Sequence, residues 1–356
     1  MIPYLTENII LAPFLISFIA AVVSTPFALI LIKKLGIIDD PNKHKHPAII
    51  HKKPIPRGGG IPLFIGVLVG SLLLLPLTNT VGALLLAAFI ALVTGVLDDK
   101  YDLSPYIRLP VNILCAVIVV ASGISIPFIT NPLGGIFYLN STVLPFGILL
   151  SNIVAVVWIV WVMNMLNWSK GVDGQMPGVV AISAIVIGLL SLRFGQFDSL
   201  SILSAKLSFI IAGAALGFLV FNFYPARIFP GYGATAIYLL LAAVSMLSSA
   251  KLATAILVMG VPMIDGAFTI IRRILTGRSP FWHDNKHLHH LLLNFGFTQR
   301  NIALFYWIIS AILGSLSLLL SSKGKLFALI MVGIIVGGGL LFLHITINKN
   351  HDNQES

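Results

Sequence analysis

Long apolar runs recur along the whole chain, separated by short polar segments rich in Lys, His, Asp, Gly and Pro. About 20 apolar residues in a helix cross the roughly 30 Å hydrocarbon core of a bilayer, where the backbone must satisfy its own hydrogen bonds. Runs near 9–32, 60–76, 81–97, 109–127, 143–163, 178–192, 204–222, 233–249, 252–271, 301–320 and 325–346 predict eleven such helices. The expected fold class is all-α, a polytopic transmembrane helical bundle. The first run follows Glu7 and has no Lys/Arg-rich start, which reads as a retained helix with its N-terminus outside rather than a cleaved signal. Residues 1–346 are expected to form a single membrane domain, and 347–356 a short polar cytoplasmic tail.

Composition supports the same picture. The 356 residues are 58% hydrophobic and only 10% charged, against about a quarter charged in soluble domains. The formal charge of +10 suits nucleic acid or anionic membrane ligands, and the apolar bulk decides for membrane lipids and against nucleic acid. A single cysteine, Cys115, excludes disulfides and Cys-ligated clusters, leaving oxygen and imidazole for any metal chemistry. With the N-terminus outside, 17 of the 22 Lys and Arg fall in inner loops, as retention of cations on the cytoplasmic side requires. Asp39, Asp40, Asp98, Asp99, Asp102, Asp173 and Asp284 fall there too, although the rule leaves acids nearly free. The protein is thus expected in the plasma membrane with its chemistry at the cytoplasmic face.

Four kinds of inner-loop element could carry that chemistry. Loop one alternates cations with imidazoles, through Lys45, His51 and Arg57, and ends in Gly58-Gly59-Gly60 at a helix start. Its backbone N–H groups could cradle a phosphate, or the loop could anchor on anionic lipid headgroups. Asp98 and Asp99, with Asp102 close behind, follow the C-terminal end of an apolar run, where the helix dipole opposes acids. That placement favours a general base or a Mg²⁺ ligand over a simple cap. Asn164 and Asn167 lie one helical turn apart, before Lys170-Gly171-Val172-Asp173-Gly174. They suit a base edge, a metal-bound water or a hydrogen-bonded helix pair. His287, His289 and His290, with Lys286 beside them and Arg272, Arg273 and Arg278 upstream, form a cluster suited to pyrophosphate. The run lacks the spacing and acid of a zinc-binding HExxH motif.

Taken together, DxPNxxKH and PIPRGGG in loop one, LDDKYD at Asp98 to Asp102, NMLN at Asn164 to Asn167, FNFYPARIF, VPMID at Asp265 and DNKHLHH resemble the polyprenyl-phosphate N-acetylhexosamine-1-phosphate transferase family. The resemblance spans nearly the whole chain, and the HLHH form is nearer the N-acetylglucosamine-1-phosphate branch. It implies a UDP-sugar donor, a polyprenyl phosphate acceptor and Mg²⁺ bridging the pyrophosphate, and it leaves a homodimer open. It also implies catalytic roles for Asp98, Asp99 and Asp102, and metal contacts from Asp99, Asn167 and Asp173. Lys45, His51, Arg57, Asn164, Asn167, Lys170, Asp173, Arg227, His287, His289 and His290 would meet the substrates.

Two positions depart from the family pattern. Lys170 stands where the family carries the first aspartate of its aspartate-glycine run, and Tyr232 where it carries a metal-binding aspartate. Asp to Lys adds two positive charges and Asp to Tyr one, approximately what a missing Mg²⁺ would supply. Three readings follow: Lys170 partly replaces the metal; Asp173, Asp265 or Asp284 completes a rearranged Mg²⁺ site; or the chain binds lipid phosphate or nucleotide without catalysis. A transporter would need ionisable groups near the membrane midplane, where only Asp265 qualifies.

Overall fold

The computed structural model describes residues 6–41, 51–131, 134–193, 199–247, 252–280, 282 and 284–355. Lys45 lies outside the described residues. The helices are α1 Ala12–Lys34 (preceded by a π-helical turn, Thr6–Leu11), α2 Gly60–Leu74, α3 Asn79–Tyr101, α4 Pro105–Ala121, α5 Leu150–Trp168, α6 Gln175–Leu192, α7 Ser199–Asn222, α8 Thr235–Met246, α9 Leu252–Val258, α10 Gly260–Leu275, α11 Leu288–Asn294, α12 Gln299–Leu319 and α13 Ser322–Glu355. Every one of the eleven apolar runs falls on a helix. Among the described residues seven helices are long and apolar enough alone to cross a membrane, and α9 with α10 makes an eighth if the bent pair counts as one span. The chain is an all-α polytopic membrane protein.

Local chemistry sets the helix starts. Thr78 accepts a hydrogen bond from Val81 N at the head of α3, Thr298 from Asn301 N at the head of α12, and Ser104 from Tyr106 N before Pro105 opens α4. Three expectations shift. The run 252–271 is not one helix: it bends by 81° between α9 and α10, at Gly260 with Pro262 in the new first turn, where a missing N–H cannot continue the ladder. The run from 143 becomes helical only at Leu150, because Phe146 and Gly147 take φ of 66° and 74°. At the far ends of α4 and α5 an unforeseen hairpin forms, β3 Phe128–Thr130 against β4 Ile136–Tyr138.

The core sits around α8, whose twelve residues are all buried, as suits a helix apolar on every side. Glycines let α1 and α7 approach closely: a Cβ at Gly213 or Gly217 would overlap the Phe14 or Phe18 carbonyl, the small-residue spacing of membrane helix pairs. At the other end of the bundle, β1 Ile38–Asp39 pairs antiparallel with β2 Ile55–Pro56 and brings the two ends of loop one together.

Candidate functional site

The inner-loop elements converge. A cavity of about 710 Å³ is lined by His51, Arg57, Asp98, Asp99, Asp102, Asn164, Asn167, Lys170, Asp173, His287, His289 and His290. The β1–β2 ladder carries loop one to this mouth, where His51 packs edge-on against Phe229, ring centroids 5.0 Å apart.

The triple glycine works differently from the phosphate cradle that its sequence suggests. Gly58 N and Gly59 N donate to Phe229 O, and Gly60 N to Pro230 O. These N–H groups strap loop one to the 229–231 segment instead of facing a ligand. A Cβ at Gly60 or at Gly95 of α3 would collide with Gly233, so bare backbone is what allows the three segments to meet.

Asp99 sits at that junction with its side chain wholly shielded. Its Oδ1 accepts from Arg57 Nε at 2.9 Å and from Tyr232 N at 2.8 Å, and Gly233 N approaches Oδ2 at 3.5 Å. Arg57 in turn reaches Asp39 at 3.9 Å. The four carboxylates Asp99, Asp39, Asp98 and Asp102 outweigh burial and raise the Arg57 pKa above its ordinary value, so it stays charged. Asp98 is buried beside Arg108, whose Nη1 lies 3.4 Å from Asp98 Oδ1, an oxygen with no hydrogen bond of its own. Buried carboxylates need such partners, since an unpaired charge costs several kcal/mol.

Lys170 reaches in from the loop after α5. Its Nζ donates to Gly231 O at 2.6 Å and stands 5.8 Å above the centre of the Tyr232 ring. Arg108 lies 5.3 Å from the same ring, and the Tyr232 hydroxyl accepts from Asn112 Nδ2 at 3.0 Å. Burial first, and then the Arg57 guanidinium, pull the Lys170 ammonium down to about 7.

Beyond Lys170, Asn167 Oδ1 is buried without a hydrogen-bond partner, while Asn164 Nδ2 donates to Val160 O within its own helix. Asp173 Oδ2 accepts from Ala226 N, pinning the loop after α7, and burial raises its carboxyl above the ordinary range. Arg227, expected at the substrate, is exposed and does not line the cavity. The pinned turn presents Asn222, Phe229, Pro230 and Gly231 inward in its place.

On the opposite wall, the buried Asp265 accepts from His287 Nδ1 at 3.0 Å and from Leu288 N at 2.9 Å, fixing the start of α11. His289 stacks on His287, and burial with its two histidine neighbours holds its pKa well below the ordinary value. Burial thus favours its neutral form, a hydrogen-bond donor or acceptor at the cavity wall. Asp284 receives Arg272 at 2.8 Å and Arg273 at 3.1 Å. Against the pull of burial, the Arg273 hydrogen bond and the Lys286 N–H hold its carboxyl at about 2.

These residues do not fit a magnesium ion. No group of three or more His, Cys, Asp or Glu is placed to hold a metal among the described residues. Asp99 is engaged by Arg57 and backbone N–H groups, and Asp173, Asp265 and Asp284 each have partners of their own. The free oxygen of Asp98 faces Arg108 and lies in the field of Lys170.

Sequence reasoning missed Arg108, Trp168 and Trp282, all of which line the cavity, whereas Arg273, grouped with the histidine run, does line it. Arg108, a lone cation within an apolar run after a Ser-Pro helix start, was the one with a legible signal.

Known proteins resemble this chain over most of its length. A model of glycosyl transferase family 4 matches residues 81–249. A probable undecaprenyl-phosphate N-acetylglucosaminyl 1-phosphate transferase of Bacillus subtilis (strain 168) is 32% identical, over 92% of this chain and 89% of its own. The decaprenyl-phosphate N-acetylglucosaminephosphotransferase of Mycobacterium leprae is 30% identical over 85% and 83%, respectively. The undecaprenyl-phosphate alpha-N-acetylglucosaminyl 1-phosphate transferase of Escherichia coli (strain K12) is 28% identical over 82% and 79%.

Proposed function

The chain belongs to glycosyl transferase family 4, and from that premise we propose that it transfers an N-acetylhexosamine 1-phosphate from a UDP-sugar to polyprenyl phosphate at the cytoplasmic membrane face. UMP is released, and the lipid-linked sugar enters cell-wall or surface-polysaccharide synthesis. One observation carries the reading: polar segments far apart in sequence meet in one cavity whose lining brings aspartates, Lys and Arg side chains and an imidazole wall together. The relatives' names supply the substrate classes, and the crowding of Lys and Arg into the loops on this side supplies the orientation.

In the proposed step an oxygen of the acceptor phosphate forms a bond to the β-phosphorus of the donor. The bond from that phosphorus to the α–β bridging oxygen breaks, and its electron pair leaves with UMP. Phosphoryl transfer needs alignment and charge neutralisation more than covalent help. Arg57, Arg108 and Lys170 line the cavity as counter-charges that let two anionic reactants approach. Asp98, with its free oxygen, is placed to take a proton from the acceptor phosphate, and Asp99 fixes Arg57 and the 231–233 backbone. Asn167 Oδ1, unpartnered in the wall, is an acceptor for the nucleotide.

The test is purified protein supplied with polyprenyl phosphate and a panel of β-³²P-labelled UDP-sugars, UDP-N-acetylglucosamine first. Label should pass into the lipid extract with an equal amount of UMP. Label that stays in water with every donor contradicts the reading. A second reading, a non-catalytic binder of lipid-linked or nucleotide sugars, draws on Lys170 and Tyr232 at positions of family acids. Thermal stabilisation by UDP-N-acetylglucosamine without UMP would favour it.

A further inference from the structure

Three basic side chains gather around the Asp98–Asp99 pair: Arg57 Nε lies 2.9 Å from Asp99 Oδ1, Arg108 Nη1 lies 3.4 Å from Asp98 Oδ1, and Lys170 stands in the field of both acids. Lys170 Nζ is tethered by one hydrogen bond to Gly231 O, and an ammonium has three N–H donors, so two remain for a ligand. Tyr232, tied to Asn112 and lying under both Arg108 and Lys170, offers a ring face to cations where an acid would offer a metal-binding oxygen. A divalent ion entering here would find Asp99 and Asp98 already paired with Arg57 and Arg108, and the Lys170 amine beside them.

We propose that Lys170 takes the place of a divalent cation in this site. Its ammonium grips the diphosphate of the nucleotide-sugar and offsets the charge developing on the bridging oxygen as UMP departs, so that transfer runs without magnesium. The inference rests on the transferase reading of the same cavity and adds the identity of the neutralising group. Arg57 and Arg108 are fixed on carboxylates, whereas Lys170 is held only by a backbone carbonyl and can turn to a phosphate without breaking an ion pair. As a compact point charge on a flexible stem, lysine suits a phosphate oxygen better than a shape-specific fork would.

The experiment uses the full-length protein in lipid nanodiscs with UDP-N-acetylglucosamine and undecaprenyl phosphate. UMP release in excess EDTA should stay within twofold of that in millimolar Mg²⁺. Mn²⁺ added with UDP should keep its free-ion electron paramagnetic resonance signal beyond what UDP alone removes. Lys170→Met should lower UMP release at least 100-fold, and Lys170→Arg should recover part of it. The double variant Lys170→Asp with Tyr232→Asp should gain Mn²⁺ binding; the wild-type measurements decide the matter even if that variant does not fold. Turnover lost in EDTA and restored by Mg²⁺, or Mn²⁺ immobilised on the wild type, overturns the proposal. If no condition yields UMP, the transferase reading fails by itself, and stabilisation by UDP judges Lys170. A thermal shift that persists in EDTA and disappears in Lys170→Met supports its role. A shift that requires Mg²⁺, survives that substitution or never occurs refutes it.

Discussion

The two walls of the cavity use acids in opposite ways. On the wall made by α3, loop one and the 229–233 segment, Asp98 and Asp99 end a membrane helix and look into the cavity, each beside an arginine. On the wall made by α10 and α11, Asp265 lies behind the surface holding His287 and the start of α11, and Asp284 binds Arg272 and Arg273. One wall sets buried acid–arginine pairs into the cavity lining itself, and the other uses its acids behind the lining to hold imidazoles and guanidiniums in position. Substitutions on the first should therefore strike the chemistry directly, and those on the second should act through geometry.

The sharpest break should come at Asp99. Asp99→Asn removes the ion pair with Arg57 and is expected to lower transfer by ~10³-fold, with a thermal melt still cooperative. Activity within a few-fold of wild type would take Asp99 out of the site.

Next is Gly231, whose φ of 67° favours glycine and whose added Cβ would run into the Asp99 carboxylate. Gly231→Ala should cost about 1–3 kcal/mol of stability. It should also lower transfer by ~10²-fold through displacement of Asp99. An unchanged melt and rate would mean that the junction is looser than described.

Across the cavity, Asp265→Asn leaves His287 and Leu288 N without their carboxylate and should reduce kcat/KM about tenfold, or ~1.4 kcal/mol. A loss as deep as that of Asp99→Asn would erase the contrast between the walls.

The smallest effect is on pH. Buried His289 stays neutral below the pH at which an unfolded histidine gains its proton, so the unfolded state binds more protons as pH falls through about 6.5. Stability should therefore decline from pH 7 to pH 5, and His289→Gln should flatten that slope. A slope unchanged in the variant would place the titration elsewhere.

The apolar helices were legible because hydrocarbon thickness imposes a length and a polarity that sequence displays directly, although only seven or eight of the eleven expected spans are long enough to cross a membrane among the described residues. The gathering of acids into loops already rich in cations likewise pointed to a single site, and twelve of the named residues line one cavity. Other features depend on what the chain meets in three dimensions. Gly58 to Gly60 look like a phosphate cradle until Phe229 and Pro230 are seen to take their N–H groups. Arg227 lies in a motif but faces out, because Asp173 pins Ala226 beside it. The bend between α9 and α10 is marked only by Gly260 and Pro262 inside a run that is otherwise uniformly apolar.

Hydrogen–deuterium exchange of the protein in nanodiscs, with and without UDP-N-acetylglucosamine, tests most directly whether these separate segments grip one ligand. The account predicts simultaneous slowing in peptides covering 95–102, 167–174, 229–233 and 284–290, with no change in the hairpin region 128–147. Protection confined to one of those segments, or found at the hairpin end of the bundle, would contradict it.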